Sequence, residues 1–147
     1  MRRLLAATTI ALGTLWIAPS PMAANLLSKN YNFEADTTLE VGVTNDPGIR
    51  LDAVRFELPS TVGGRFFRTG GLVTVFVSLS NTSEHSQKVG VAIALFDDQA
   101  RLVGVASGGS HWLPIKAGRQ KSFKMIFDNV NGEAYKAKTF QISIESK

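Results

Sequence analysis

His85 and His111 are the two side chains best suited to proton transfer or metal binding in this chain. A catalytic zinc site takes three protein ligands, commonly histidines at helical or hairpin spacing. These two stand far apart, and neither has an obvious carboxylate partner. There is no cysteine, which removes disulfides, thiol catalysis, cysteine-based zinc and a lipoprotein anchor together. Met125 stands between Phe123 and Phe127 at alternate positions and reads as core packing rather than as a copper ligand. Serine hydrolysis needs a nucleophile, a base and an orienting acid, and no nucleophile-elbow pattern occurs. The pairs Gly63-Gly64, Gly70-Gly71 and Gly108-Gly109 do not open a helix after a strand, so they offer no phosphate cradle. The residue types therefore point away from an enzyme, a metal and a cofactor. The rival expectation is a metal carrier or small exported enzyme built on His111 and nearby acids.

One segment carries surplus chemistry. Gly63 to Gly71 places Arg65, Phe66, Phe67 and Arg68 between glycines. Two adjacent phenylalanines put one ring on each side of an extended chain. Arginine and aromatic side chains are favoured in interfaces because they combine large area with directed bonding. These four residues are the candidate binding site.

The elements that must position them read as strands. Leu39, Val41 and Val43 alternate with Glu40, Gly42 and Thr44, as a half-buried strand does. Val54, Phe56 and Leu58 share a face until Pro59 stops the run, since proline lacks the N–H a ladder needs. Val73, Val75, Val77 and Leu79 form the clearest inward row, followed by a turn at Asn81 to Glu84. Val89, Val91, Ile93 and Leu95 form the next, with the small residues Gly90, Ala92 and Ala94 opposite. A turn at Asp97 to Ala100 leads into Arg101 to Val105. A tight turn at Ala117-Gly118 precedes the rows Phe123, Met125, Phe127 and Phe140, Ile142, Ile144. Only Asn131 to Ala137 has room for a single helical turn. The expected fold is all-β, an immunoglobulin-like antiparallel β-sandwich of about seven to eight strands, with a closed barrel as the alternative.

Met1 to Ala24 reads as a secretory signal peptide. Arg2 and Arg3 precede the mainly apolar run Leu4 to Ile17, then Pro19 and Pro21 break it and Met22-Ala23-Ala24 offers small residues for cleavage. The run is shorter than the roughly 20 residues of a spanning helix. Residues 25–147 are then one domain, expected in a periplasm or outside the cell with no transmembrane span after cleavage. Setting Arg2 and Arg3 aside leaves 14 of the 16 basic residues against 12 acidic ones, a net of +2. Basic side chains are scattered among acids such as Asp52, Glu57 and Asp128, so no concentrated positive face for nucleic acid is expected.

From Leu72 onward the chain resembles the FxLYD-type domains, immunoglobulin-like sandwiches of exported prokaryotic proteins. Ile93-Ala94-Leu95-Phe96-Asp97 stands where that family has phenylalanine, any residue, leucine, tyrosine and aspartate. Ser80-Asn81-Thr82-Ser83 is similar to its asparagine turn, and Arg101-Leu102-Val103-Gly104 to the strand after the motif. Ile115-Lys116-Ala117-Gly118, followed by Phe123, resembles its loop into a strand with an inward phenylalanine. The chain departs from the family at Ala100, where glycine is frequent, and at Ala117, where proline is usual. The resemblance spans Leu72 to Ile144 and implies architecture, with no catalytic site to carry over. Read alone, Asp97 is a strand-end residue whose carboxylate can accept from backbone N–H groups two residues on.

The function expected is an exported, non-enzymatic binding module whose partner is a protein or envelope component, met through a sheet edge or loops. A structural subunit of an envelope assembly is the third expectation.

Overall fold

A computed structural model describes residues 25–46, 48–59, 72–110, 113–128, 130 and 133–147. The strands are β1 (Asn25–Asn32), β2 (Thr38–Thr44), β3 (Ile49–Glu57), β4 (Val73–Asn81), β5 (Val89–Phe96), β6 (Leu102–Gly109), β7 (Gln120–Phe127) and β8 (Thr139–Ser146). A single 3-10 turn, Ala134–Lys136, lies before β8, inside the stretch that the sequence leaves for a helical turn. The strands form two four-stranded sheets, ordered β1-β8-β5-β6 (sheet A) and β2-β3-β4-β7 (sheet B). Every neighbouring pair is antiparallel.

The apolar rows face each other between the sheets. Val75, Val77 and Leu79 of β4 and Ile93 and Leu95 of β5 are fully buried, as are Ile142 and Ile144 of β8. Met125 joins them. Each such side chain contributes roughly 1.5–3 kcal/mol by leaving water, which is why these rows dictate register. At one end the rings of Phe140 and Phe56 meet edge-on at 4.9 Å between centroids. Phe56 also packs on Phe33 at 4.8 Å, and Phe140 on Tyr31 at 5.4 Å. This aromatic chain ties the two sheets and β1 together. Burial pushes the Tyr31 hydroxyl above its ordinary pKa.

The pairings have the immunoglobulin plan. β3-β4-β7 reproduces the A-B-E order, and β6-β5-β8 the C′-C-F order. The place of the final G strand, antiparallel to F, is filled by β1, the first of the described strands. β2 adds a strand beside β3 and is the least buried of the sheet B strands.

Two hairpins share one turn design. In β2–β3, the Gly48 amide donates to the Asn45 carbonyl (2.7 Å) and the Asn45 amide to the Ile49 carbonyl (2.9 Å). The Ile49 amide returns to Asn45 Oδ1 at 2.8 Å. In β5–β6 the same three bonds recur: Ala100 amide to Asp97 carbonyl (3.1 Å), Asp97 amide to Arg101 carbonyl (3.0 Å) and Arg101 amide to Asp97 Oδ1 (2.8 Å). Both are three-residue loops closed by a residue with positive φ. That residue is Gly48 at 111° in one and Ala100 at 57° in the other. Asp97 Oδ1 also accepts from the Gln99 amide at 2.9 Å, two residues on, and Oδ2 from Arg101 Nε at 2.7 Å. The Arg101 amide and guanidinium, with the Gln99 amide, hold this carboxyl below the ordinary range, against the opposing effect of burial.

Asn81 closes the turn after β4 and is 1% exposed. Its Nδ2 donates to the carbonyls of His85 (2.7 Å) and Ile115 (2.8 Å). Its Oδ1 accepts from the Ser83 amide (3.0 Å) and hydroxyl (2.7 Å). One buried amide thus joins the β4 turn to the strand bridge at Ile115.

Candidate interaction surface

The candidate residues Arg65, Phe66, Phe67 and Arg68 lie outside the described residues, in the connection from β3 to β4. His111 also lies outside them. His85 sits on an exposed turn, as its polar neighbours predict. Among the described residues no three histidine, aspartate or glutamate side chains gather into a group that could hold a metal ion. Among them, too, no helix is long and apolar enough to cross a membrane.

The two outer faces of the sandwich differ in chemistry. Pairing registers fix their membership, because directly opposed residues share a face. On sheet B the outer face carries Glu40, Arg50, Asp52, Arg55, Glu57 and Lys124. Arg55 pairs with Glu57 at 3.1 Å. Asp52 is the hub of this face: Arg50 Nε donates to its Oδ1 at 2.6 Å, while the Ser80 hydroxyl and Gln120 Nε2 reach its Oδ2. Gln120 Nε2 also donates to the Ser78 hydroxyl at 2.8 Å.

Register shifts in both β2 and β3 open a shallow cleft of about 400 Å³ here, lined by Glu40, Val41, Gly42, Arg50, Asp52 and Gln120. Asp52 is already engaged by donors from three strands, so the network works as a clasp across sheet B.

On sheet A the outer face holds Ser28 and Asn30 of β1, Gln141, Ser143 and Glu145 of β8, Gly90, Ala92, Ala94 and Phe96 of β5, and Leu102, Val105 and Ser107 of β6. Glu145 is the only charged side chain in that set. The Ser28 hydroxyl bonds to the Ser143 hydroxyl and accepts from Gln141 Nε2. The small residues opposite the β5 apolar row therefore mark a thinly covered, nearly uncharged face.

Sheet edges are where a partner's backbone can pair. Three of the four edges carry features that discourage it. On β1, Lys29 stands opposite Ile142, at a core-side register position, and is exposed, a charge on the edge strand. β2 is bulged between Glu40 and Val43 and turns at Gly42, φ 69°. β7 carries Lys121 and Lys124. The fourth edge, β6, reads Leu-Val-Gly-Val-Ala-Ser-Gly-Gly, with neither a charge nor a proline. Its outward Leu102 and Val105 are 60% and 59% exposed. Among the described residues, no backbone hydrogen bond to β6 comes from outside its β5 ladder.

The inward positions of β6 are Gly104, Ala106 and Gly108. Gly104 and Gly108 are small because β6 closes down on Val130 after β7 and on Met125 of β7. A Cβ on Gly104 would fall 2.2 Å from Val130 Cγ2. The core thus holds β6 from beneath, and among the described residues its far edge has no backbone partner. From sequence, Arg101 to Val105 reads as a strand, but the length of the strand and its edge position depend on pairing. The signal available was the charge-free run from Leu102 to Ser110.

Compared with known proteins, the chain matches no family model and no curated sequence.

Proposed function

We propose that the chain is an exported, non-enzymatic interaction module of the cell envelope, with the open β6 edge and the neutral face of sheet A beside it as its working surface. The observation that carries this reading is the contrast in charge among the four edges: β1, β2 and β7 each bear a charged side chain, and β6 bears none. An unprotected, uncharged edge costs solubility, and native sheets generally blunt it. Strand addition uses such an edge directly, with backbone bonds for affinity and side chains on alternate positions for selectivity. The leader-like Met1 to Ala24 supports export, and the likeness of Leu72 to Ile144 to FxLYD-type domains belongs to the same proposal. Arg65, Phe66, Phe67 and Arg68 are retained in it as a second contact region.

Site-specific photo-crosslinking in the native host tests it. A photoreactive residue replacing Val105 should give discrete adducts, while one replacing Lys124 on the opposite sheet should give none. Equal labelling from both positions, or no adduct from position 105, overturns the assignment of the surface.

A further inference from the structure

We infer that the end of the sandwich where β1 begins is a docking surface for an anionic lipid membrane; this rests on the reading of Met1 to Ala24 as an export leader. The registers place the starts of β1, β3, β5 and β7 and the finishes of β2, β4, β6 and β8 at this one end. Asn45 Nδ2 joins the two sheets there through the Ser146 hydroxyl at 3.1 Å. Bases that are scattered in the sequence meet at this end: Lys88, Lys116, Arg119, Lys121 and Lys147. Among the described residues none of them forms an ion pair, although Asp46, Glu84 and Glu145 stand at the same end.

The fold sets these cations side by side in two places. Lys88 and Lys147 exchange both backbone bonds, the Lys88 amide to the Lys147 carbonyl at 2.9 Å and the reverse at 3.1 Å. They are directly opposed on one side of sheet A, and like charges so placed destabilise a ladder. Lys116 and Arg119 are the first and last residues of one turn, closed by the Arg119 amide on the Lys116 carbonyl at 3.1 Å. That turn holds their Cα atoms within about 7 Å. Both pairs repel until anions lie across them.

Two exposed leucines accompany the cations. Leu113 and Leu26 are 72% and 64% exposed. The Leu113 carbonyl accepts from Lys121 Nζ at 3.2 Å, and Leu26 is registered with Glu145. Apolar side chains flanked by cations suit the boundary between acyl chains and anionic headgroups. The opposite end has the reverse balance, with Glu34, Asp36, Asp97, Asp98, Asp128 and Glu133 against Arg101, Lys136 and Lys138 among the described residues. An anionic surface therefore draws one end in and turns the other away. Residues 1–24 join the domain at Asn25, on the cationic end. A leader engaged in a membrane brings this end, and not the other, to the bilayer surface.

Co-sedimentation of the exported protein with lipid vesicles tests the inference. Vesicles of equal parts phosphatidylglycerol and phosphatidylcholine should carry the protein down, and vesicles of phosphatidylcholine alone should not. Each cation near an anionic surface is worth about a fivefold change in binding, so Lys116→Gln with Arg119→Gln should bind about 25-fold more weakly. The same charge loss at the far end, Lys136→Gln with Lys138→Gln, should leave binding as in wild type. All four positions are exposed, so the fold tolerates glutamine there. Leu113→Ser should weaken vesicle binding about tenfold, since it removes an apolar side chain from the acyl boundary. No binding to the anionic vesicles, or equal losses from the two double variants, overturns the inference. A Leu113→Ser variant that binds as the wild type does also overturns it, and points to a soluble polyanion instead. The export reading fails on a different observation, recovery of the protein from the cytosol with Met1 intact.

Discussion

Replacing Asn81 separates the worth of its hydrogen bonds from the worth of its shape. The amide makes four side-chain bonds while 1% exposed. At a net of about 1 kcal/mol each they are worth about 4 kcal/mol. The loss in Asn81→Ala is softened because the carbonyl acceptors keep other donors. Ile115 also accepts from the Gln87 amide at 3.0 Å, and His85 from the Ser83 hydroxyl at 3.0 Å. The expected cost is therefore about 3 kcal/mol, a large share of the roughly 5–15 kcal/mol that stabilises a typical domain.

Asn81→Asp keeps the shape and behaves worse at neutral pH. It removes both Nδ2 donors and sets a buried carboxylate oxygen against two carbonyl oxygens. Leaving a charge buried and unpaired costs about 3–5 kcal/mol. Its folded-state pKa must rise above the unfolded value of about 3.9. The variant is thus least impaired below that value and loses stability as pH rises through the folded pKa, by up to about 1.4 kcal/mol per pH unit. Urea unfolding followed by circular dichroism from pH 4 to pH 8 measures both effects. An Asn81→Ala variant within about 1 kcal/mol of wild type, or an Asn81→Asp deficit that does not change with pH, refutes the reasoning.

Two further outcomes are expected from the β5–β6 turn. Ala100→Gly should stabilise the protein by about 0.5–1 kcal/mol, since an L-residue at positive φ costs about 1–2 kcal/mol and glycine's extra unfolded freedom takes back part; a lower urea midpoint would contradict this. Asp97→Asn removes a carboxyl whose folded pKa is held low, so its deficit should be full at neutral pH. That deficit should shrink as pH falls below about 4 and through the folded value. A deficit of equal size at pH 7 and pH 2.5 would show that the carboxylate charge contributes nothing.

Much of the sandwich was legible because burial leaves a period of two in the sequence. The rows of β4, β5, β7 and β8 could be read directly, as could the Asp97 turn and the single helical turn before β8. β1 could not. Asn25 to Asn32 is mostly polar, and Lys29 interrupts its inward row of Leu27 and Tyr31. What makes it a strand is β8, from the far end of the sequence. The charge contrast between the outer faces was hidden for the same reason, since face membership on neighbouring strands depends on register. Asn81 showed its turn to sequence reading but not its reach to Ile115, because that bond crosses between segments with no shared periodicity. The four residues Arg65 to Arg68 carried the strongest local signal, while the β6 edge carried its signal as an absence of charge, which a search for reactive side chains passes over.

The placement of β1 also bears on how the chain acquires its shape. Asn25 is registered with Ser146 and Asn32 with Thr139, so this ladder joins the two most distant parts of the described chain. Among the described strands, β1 has only β8 as a hydrogen-bonded neighbour. Such non-local closure places folding in the slow, millisecond-to-second range of all-β domains. A nascent chain lacking β8 keeps Leu27, Tyr31 and Phe33 without their final packing, and completion of sheet A is deferred until β8 is available.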